Sequence, residues 1–314
     1  MIIKDFKTFV NERETSGEGL HKVICAVSSE LTDFKYVTGD AHTVYSSQFM
    51  TLFTKGIDPY KADLPVINYC NIHTKRLIKA GTPDSLIYNK EAAKMRIASK
   101  VKWHNLHDGS IHIPKTVTDA SKIEELKFPI IAKPENRYSG QGIMKFDTLE
   151  DAQKEDLSDF TIFCEMIDIA EEHRIPTWRG TPVMWFKRIP ANEETKNMEK
   201  EKDDKLRFNY LLKNVADMPE SWIDCMETMA EKHGDLDIYS IDLAIDTDGK
   251  PWVIEMSSEF APIYGVMAIL YKKVYEDYYK KPLSKEDAAQ IEMYHKKDID
   301  ATVNSDKERF QVEN

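Results

Sequence analysis

Cysteine is sparse in this sequence, and it lacks net positive charge, long apolar runs and glycine-rich loops that open helices. Its 314 residues hold four cysteines, Cys25, Cys70, Cys164 and Cys225, widely separated and without a CxxC pair. A chain of this length with so few thiols is no disulfide scaffold, and it offers no zinc-binding set. No apolar run approaches the ~20 residues that cross a bilayer. The first residues, MIIKDFKTFVNERETSGEG, are too charged for a signal peptide. A reduced, cytoplasmic setting without a membrane partner is therefore expected. The 43 Lys and Arg face 54 Asp and Glu, giving a net charge of −11. Without a broad basic surface there is little to release counterions, which argues against a general nucleic-acid binder. A small anionic ligand held by a few local Lys and Arg stays open. No internal repeat or low-complexity block is visible.

What is present is a soluble, core-forming composition, 41% hydrophobic and 31% charged, long enough for two or three packed units. The organising stretch is Asp237 to Ser258, DIYSIDLAIDTDGKPWVIEMSS. It reads as two strands around Asp248-Gly249, a pair suited to a two-residue turn because both positions tolerate positive φ. Pairing Thr247 with Lys250 puts Asp242 opposite Glu255 and Ser240 opposite Ser257. Ser240, Asp242 and Ala244 share one face, and Tyr239, Ile241, Leu243 and Ile245 the other. Two carboxylates across a ladder repel. They need a shared proton or a cation, of which Mg²⁺ is the simplest. A chance acidic pair on a wet face is the alternative.

Earlier in the chain, Val23–Val27 and Leu64–Tyr69 read as buried strands of a small α/β unit. A basic helix is predicted from about Lys90 to Leu106, followed by an extended stretch from Ile111 to Val117. His104, His107 and His112 lie near this helix end without a carboxylate or cysteine to complete a metal set. Phe128–Lys133 is a strand ending in lysine. The loop PENRYSGQG (134–142) follows, then a strand over Ile143–Phe146. Backbone N–H groups of such a loop can cradle phosphate beside a lysine. Thr148 caps a short helix. Thr161–Ile167 is a strand, and the strands 174–178 and 183–188 bring Arg174, Lys187 and Arg188 onto neighbouring strands. Residues 192–205 form a charge run expected to be a solvated loop. The clearest helix runs from Ser221, its expected cap, to His233, with Trp222, Met226, Met229 and Ala230 inward. Helices over 261–279 and near 285–296 follow, before a polar end expected to fray.

Four pieces thus stand in one order over residues 89–260: Lys133 with its loop, the strand carrying Glu165, the basic strands, and the Asp242–Glu255 hairpin. That order resembles the ATP-grasp superfamily, in particular carboxylate–amine ligases of the D-alanine–D-alanine ligase, glutathione synthetase and ribosomal-protein glutamate ligase type. The resemblance implies an α+β architecture of two lobes clamping ATP, preceded by a small Rossmann-like α/β domain. The corresponding ranges are 1–88 for the preceding domain, 89–163 for the N-terminal lobe, 164–271 for the C-terminal lobe and 272–314 for a helical tail.

Carried over by position, the resemblance puts Lys133 and an earlier lysine, Lys100 with Lys94 as competitor, on the ATP phosphates. Ser139, Gly140, Gln141 and Gly142 become the phosphate loop. Glu165, Met166 and Ile167 line the adenine pocket, and Glu172 reaches the ribose. Asp242 and Glu255 hold Mg²⁺, with Ser257 where the family places asparagine and Glu259 as a possible substitute. Arg174, Arg188, Arg207 and Asn209 bind the substrate carboxylate and the acyl phosphate. The implied activity is ATP- and Mg²⁺-dependent joining of a small-molecule or peptide carboxylate to an amine. A non-catalytic ATP-binding module and a kinase acting on a hydroxyl are the alternatives.

Overall fold

The computed structural model describes residues 23–26, 63–68, 77–135, 142–190, 208–258, 265–305, 307 and 310–313. The elements are β1 (Ile24–Ala26), β2 (Val66–Asn68), β3 (Ile87–Tyr88), α1 (Glu91–Ala98), α2 (Lys100–Leu106), β4 (Thr116–Val117), β5 (Ile130–Lys133), β6 (Met144–Phe146), α3 (Leu149–Lys154), β7 (Ile162–Glu165), β8 (Ile169–Trp178), β9 (Thr181–Pro182), β10 (Trp185–Pro190), β11 (Phe208–Lys213), α4 (Glu220–Glu231), β12 (Ile238–Asp246), β13 (Pro251–Ser257), α5 (Val266–Tyr279), α6 (Lys285–Ser305) and β14 (Phe310–Val312). They fall into two compact units, Met1–Lys90 with Ala261–Ser305, and Glu91–Phe260 with Asp306–Asn314.

In the first unit β1, β2 and β3 form a parallel sheet in that order. Val66 and Ile67 are fully buried, as strands of a covered parallel sheet must be. Asn68 donates its amide to the Asn89 carbonyl at 3.0 Å, and the Tyr88 hydroxyl donates to Asp277 of α5 at 2.9 Å. Helix α6 runs to Ser305, well past the expected end near 296.

The second unit holds two antiparallel-rich sheets. One has the order β4-β7-β5-β6 and buries Ile130, Ala132, Phe146 and Phe163. The other has the order β13-β12-β8-β10-β11-β14, with β9 on β8. Instead of fraying, the polar end contributes β14, which pairs in parallel with β11. One face of this larger sheet carries Ile175, Trp185, Ile241, Leu243 and Val253, packed against Trp222, Cys225, Met226 and Met229 of α4. Pro219, not Ser221, precedes the first turn of that helix, and no side chain caps it. Ser221 lies within the turn and faces solvent.

The helix expected over 90–106 is two helices. Ser99 leaves helical geometry (φ −91°, ψ 116°), and its hydroxyl accepts from the Lys102 N–H to start α2. The same hydroxyl donates to Glu135 Oε1 at 2.6 Å, while Glu135 Oε2 accepts from the Val101 N–H at 3.2 Å. Lys100 Nζ donates to the Glu135 carbonyl at 3.0 Å. A carboxylate at a helix N-terminus satisfies orphan N–H groups and opposes the helix dipole. The break therefore anchors Lys100 close to the chain that leaves β5 after Lys133. Of the stretch expected to be extended over 111–117, only Thr116–Val117 is strand, paired with β7.

Candidate functional site

The hairpin β12–β13 positions the acidic pair. Asp246 organises its turn: Oδ1 accepts from the N–H groups of Asp248 and Lys250, and Oδ2 accepts from the Trp252 indole. Gly249 N–H returns to the Asp246 carbonyl, and Gly249 adopts φ 82°. Thr247, Asp248 and Gly249 thus form a three-residue loop, not the expected two-residue turn, with glycine taking the left-handed position. Pairing near the turn is consequently displaced, with Ile245 opposite Pro251 and Leu243 opposite Val253. A bulge between Asp242 and Leu243 leaves Ile254 as the extra residue and restores Asp242 opposite Glu255 and Ser240 opposite Ser257.

Strand β8 lies on the other side of β12, with Arg174 opposite Asp242 and Glu172 opposite Ala244. Next comes β10, with Arg188 opposite Glu172, and then β11, with Tyr210 opposite Arg188. By strand alternation Tyr210, Arg188, Glu172, Arg174, Asp242 and Glu255 share the face away from α4. Arg174 grips Asp242 as a fork, Nε to Oδ1 and Nη2 to Oδ2, both at 2.8 Å. Arg188 Nη1 lies 3.0 Å from Asp242 Oδ2 and 3.8 Å from Glu172 Oε2. The Arg188 guanidinium also sits 5.1 Å from the Phe208 ring centroid, a cation–π contact.

Burial would raise the Asp242 pKa, but Arg174 and Arg188 override it and hold the carboxyl down at about 2. Glu255 moves the other way. The surrounding protein raises its pKa and so does the Asp242 charge, while Lys133, Lys100 and Arg174 pull against them. Glu172 is raised mainly by burial, with Arg188 opposing. Lys133 acts on Glu172, Glu255 and His104, which places it within electrostatic reach of this face. Glu172, Arg174, Arg188, Asp242 and Glu255 therefore share one face, and Lys133 and Lys100 act on it electrostatically.

The remaining residues singled out in the sequence are placed differently. Asn209 pairs with Ile189, one step out of phase with Tyr210 and Arg188, so alternation puts it on the opposite face. Lys187 is also on that opposite face, paired with Glu171 at 2.7 Å. Glu165 ends β7, and Met166–Asp168 link the smaller sheet to the larger one. The Met166 N–H donates to the Pro129 carbonyl at 2.9 Å, and Glu165 Oε1 accepts from the Lys127 N–H at 2.8 Å. Gly142, with φ 69°, precedes β6. Lys94, the competitor of Lys100, is fully buried on α1. Ser139, Gly140, Gln141, Arg207 and Glu259 lie outside the described residues. Tyr210 and Phe208 were not singled out. Their alternation with Asn209 is visible in the sequence, but the face each takes depends on a register with β10 that the chain alone does not disclose.

No protein-family model matches the sequence, and no curated protein matches it. Among solved structures, D-alanine–D-alanine ligase from Bacillus anthracis aligns over 91% of this chain and 97% of its own, at 13% identity and a TM-score of 0.50. The same enzyme complexed with ATP aligns over 91% and 96% with the same score. The chain has the ATP-grasp fold. Partial alignments reach the ATP-grasp ligase PsnB complexed with minimal precursor (16% identity, TM-score 0.43) and N5-carboxyaminoimidazole synthetase from Staphylococcus aureus complexed with ADP (11%, 0.46). The chain spans only 59% and 64% of the length of those two proteins.

The ATP-grasp fold implies a nucleotide and a divalent cation, and the donor set is compatible with both. Among the described residues Glu255 has no ion-pair partner, although it faces Asp242 across the ladder. No group of three or more His, Cys, Asp or Glu that could hold a metal ion occurs among the described residues. A cation here would take two carboxylates from the protein and its other ligands from phosphate and water, a set that suits Mg²⁺.

Proposed function

We propose that the protein is an ATP- and Mg²⁺-dependent ligase that activates a carboxylate as an acyl phosphate and passes the acyl group to an amine. The observation that carries this reading is the Asp242–Glu255 pair beside Arg174 and Arg188 on one face of the larger sheet of an ATP-grasp fold, with Lys133 of the smaller sheet within electrostatic reach. Phosphoryl transfer asks a protein mainly for positioning and charge neutralisation. Lys133 and Lys100 are the cations for the nucleotide phosphates. The link at Glu165–Ile167 is the place for the base. With the Met166 N–H engaged by Pro129, backbone reading of the base edge falls to the Glu165 carbonyl and the Ile167 N–H. Glu172, drawn in among the arginines, is assigned to the ribose hydroxyls. Asp242 and Glu255 hold Mg²⁺, with Ser257 two residues on as a further oxygen donor. Bound there, the cation neutralises charge on the transferring phosphoryl group.

Arg174 and Arg188 are suited to orient the substrate carboxylate so that one oxygen attacks the γ-phosphorus and ADP departs. The amine then attacks the acyl carbon, inorganic phosphate leaves, and the amine loses a proton to give the amide. Arg207 is assigned to the same substrate, whereas Asn209, on the opposite face by register, is set away from it. A small molecule or a peptide fits this scheme equally, and a reduced intracellular compartment accords with the cysteine usage.

The test is phosphate release with ATP and Mg²⁺ across a panel of amino acids and small carboxylates with paired amines, with products read by mass spectrometry. The expected result is ADP and phosphate release that depends on a carboxylate, with an amide as product. A stable phosphorylated product without amine would identify a kinase, and nucleotide binding without turnover a regulatory module. Lys133→Ala is expected to raise the ATP concentration for half-maximal turnover at least tenfold, which is about 1.4 kcal/mol of lost phosphate contact. An unchanged ATP dependence would remove Lys133 from the phosphate site.

A further inference from the structure

Both oxygens of Asp242 already accept charge-assisted hydrogen bonds. Oδ1 takes Arg174 Nε, and Oδ2 takes Arg174 Nη2 at 2.8 Å and Arg188 Nη1 at 3.0 Å. The residue is only 8% exposed. Glu255, directly opposite, has no ion-pair partner among the described residues and remains open to solvent. A divalent cation arriving at this hairpin therefore meets one available carboxylate and one occupied by two guanidinium groups, which also repel it. Guanidinium groups leave a carboxylate most readily for another planar or tetrahedral oxyanion that fits their fork, and phosphate is such a partner.

We infer that Arg174 and Arg188 form a clamp that withholds Asp242 from metal until a polyphosphate draws them away. The exchange conserves charge pairing. The arginines pass from carboxylate to phosphate, and the cation replaces them on Asp242. Metal and nucleotide binding are then coupled through the clamp, and the coupling is reciprocal. This inference rests on the nucleotide reading of the face. It differs from that reading in assigning the arginines a role before any substrate carboxylate is present.

The measurement is Mn²⁺ binding without nucleotide, followed by electron paramagnetic resonance, with Mn²⁺ standing in for Mg²⁺. Wild-type protein is expected to bind weakly. Arg174→Lys keeps the positive charge but loses the fork, so Mn²⁺ binding should tighten about tenfold, within the usual range for linked sites. Arg188→Lys should act in the same direction, and it keeps the test available if Arg174→Lys does not fold. Adding Asp242→Asn to either variant should return Mn²⁺ binding to the wild-type level.

A simple charge effect would leave the lysine variants like wild type. If they bind Mn²⁺ no more tightly while Mg²⁺-ATP still raises the unfolding midpoint, the clamp is overturned and the nucleotide reading stands. If Mg²⁺-ATP leaves the wild-type midpoint unmoved, the nucleotide reading fails and the clamp with it.

Discussion

Asp242→Asn is expected to cost about 3 kcal/mol of folding stability and to abolish Mg²⁺-dependent ATP turnover. The stability loss comes from the arginines, not from a missing metal. Arg174 and Arg188 converge on one buried carboxylate, and asparagine removes the charge that pairs them. Its amide also turns N–H groups toward guanidinium N–H groups, leaving donors facing donors. Glu172 offers Arg188 only a distant contact at 3.8 Å. Glu255→Gln is the matched control. It removes a carboxylate with no ion-pair partner among the described residues beside a like charge, so stability should be unchanged or raised while Mg²⁺ dependence is lost. Urea unfolding of the two variants separates these roles. Equal stability losses would contradict the ion-pair geometry.

Acid should destabilise the protein well above the carboxylate range. Four buried imidazoles are held neutral. Burial is the leading cause for each and brings His104 and His107 to about 3, His173 and His233 to about 4. Lys133, His107 and Lys100 add to the effect at His104, His233 and Lys232 at His107, and Arg96 and Lys232 at His233. Asp235 opposes it at His233, as Glu171 does at His173.

The hydrogen bonding agrees with the neutral forms. The Trp185 indole donates to His173 Nδ1 at 2.9 Å, which leaves the proton on Nε2 facing Glu171. His107 Nε2 and His233 Nε2 are 2.8 Å apart, so one donates and the other accepts. Each folded pKa lies below the ordinary 6.5, so between about pH 6.5 and 4 the unfolded chain binds more protons. Stability is full above pH 6.5 and falls as the pH drops, by about 1.4 kcal/mol per pH unit for each imidazole. Four such groups together can remove a large share of the ~5–15 kcal/mol that holds a domain folded. Trp103, Trp185 and Trp222 lie against these rings and report the change by fluorescence. A urea midpoint that stays flat from pH 7 to 5 would show that the imidazoles titrate normally.

The acidic pair was legible in the sequence through the cancellation of two errors. The Asp-Gly signal predicted a two-residue turn. The three-residue loop displaced the ladder by one residue, and the bulge at Ile254 moved it back before Asp242. The alternation of β12 is legible in the chain, because Ile241 and Leu243 must leave water while Asp242 and Ser240 occupy the other face. Long-range partners were out of reach. Arg174 and Asp242 are separated by 68 positions, and His107 and His233 by 126. Only the assembled sheet and helix ends reveal them. Nor did periodicity show the break at Ser99, since apolar spacing continues across it and the cause is Glu135, a side chain from another part of the unit.

A nucleotide held on this face through a cation on Asp242 and Glu255, as proposed, would raise the thermal unfolding midpoint, measured in matched solutions. ATP with Mg²⁺ at about one hundred times its dissociation constant should stabilise the protein by about 2.7 kcal/mol. Either ligand alone should do much less, and Asp242→Asn should lose the synergy. An unmoved midpoint with Mg²⁺-ATP, or an equal shift in Asp242→Asn, would mean that this face does not hold a nucleotide through a cation on that carboxylate.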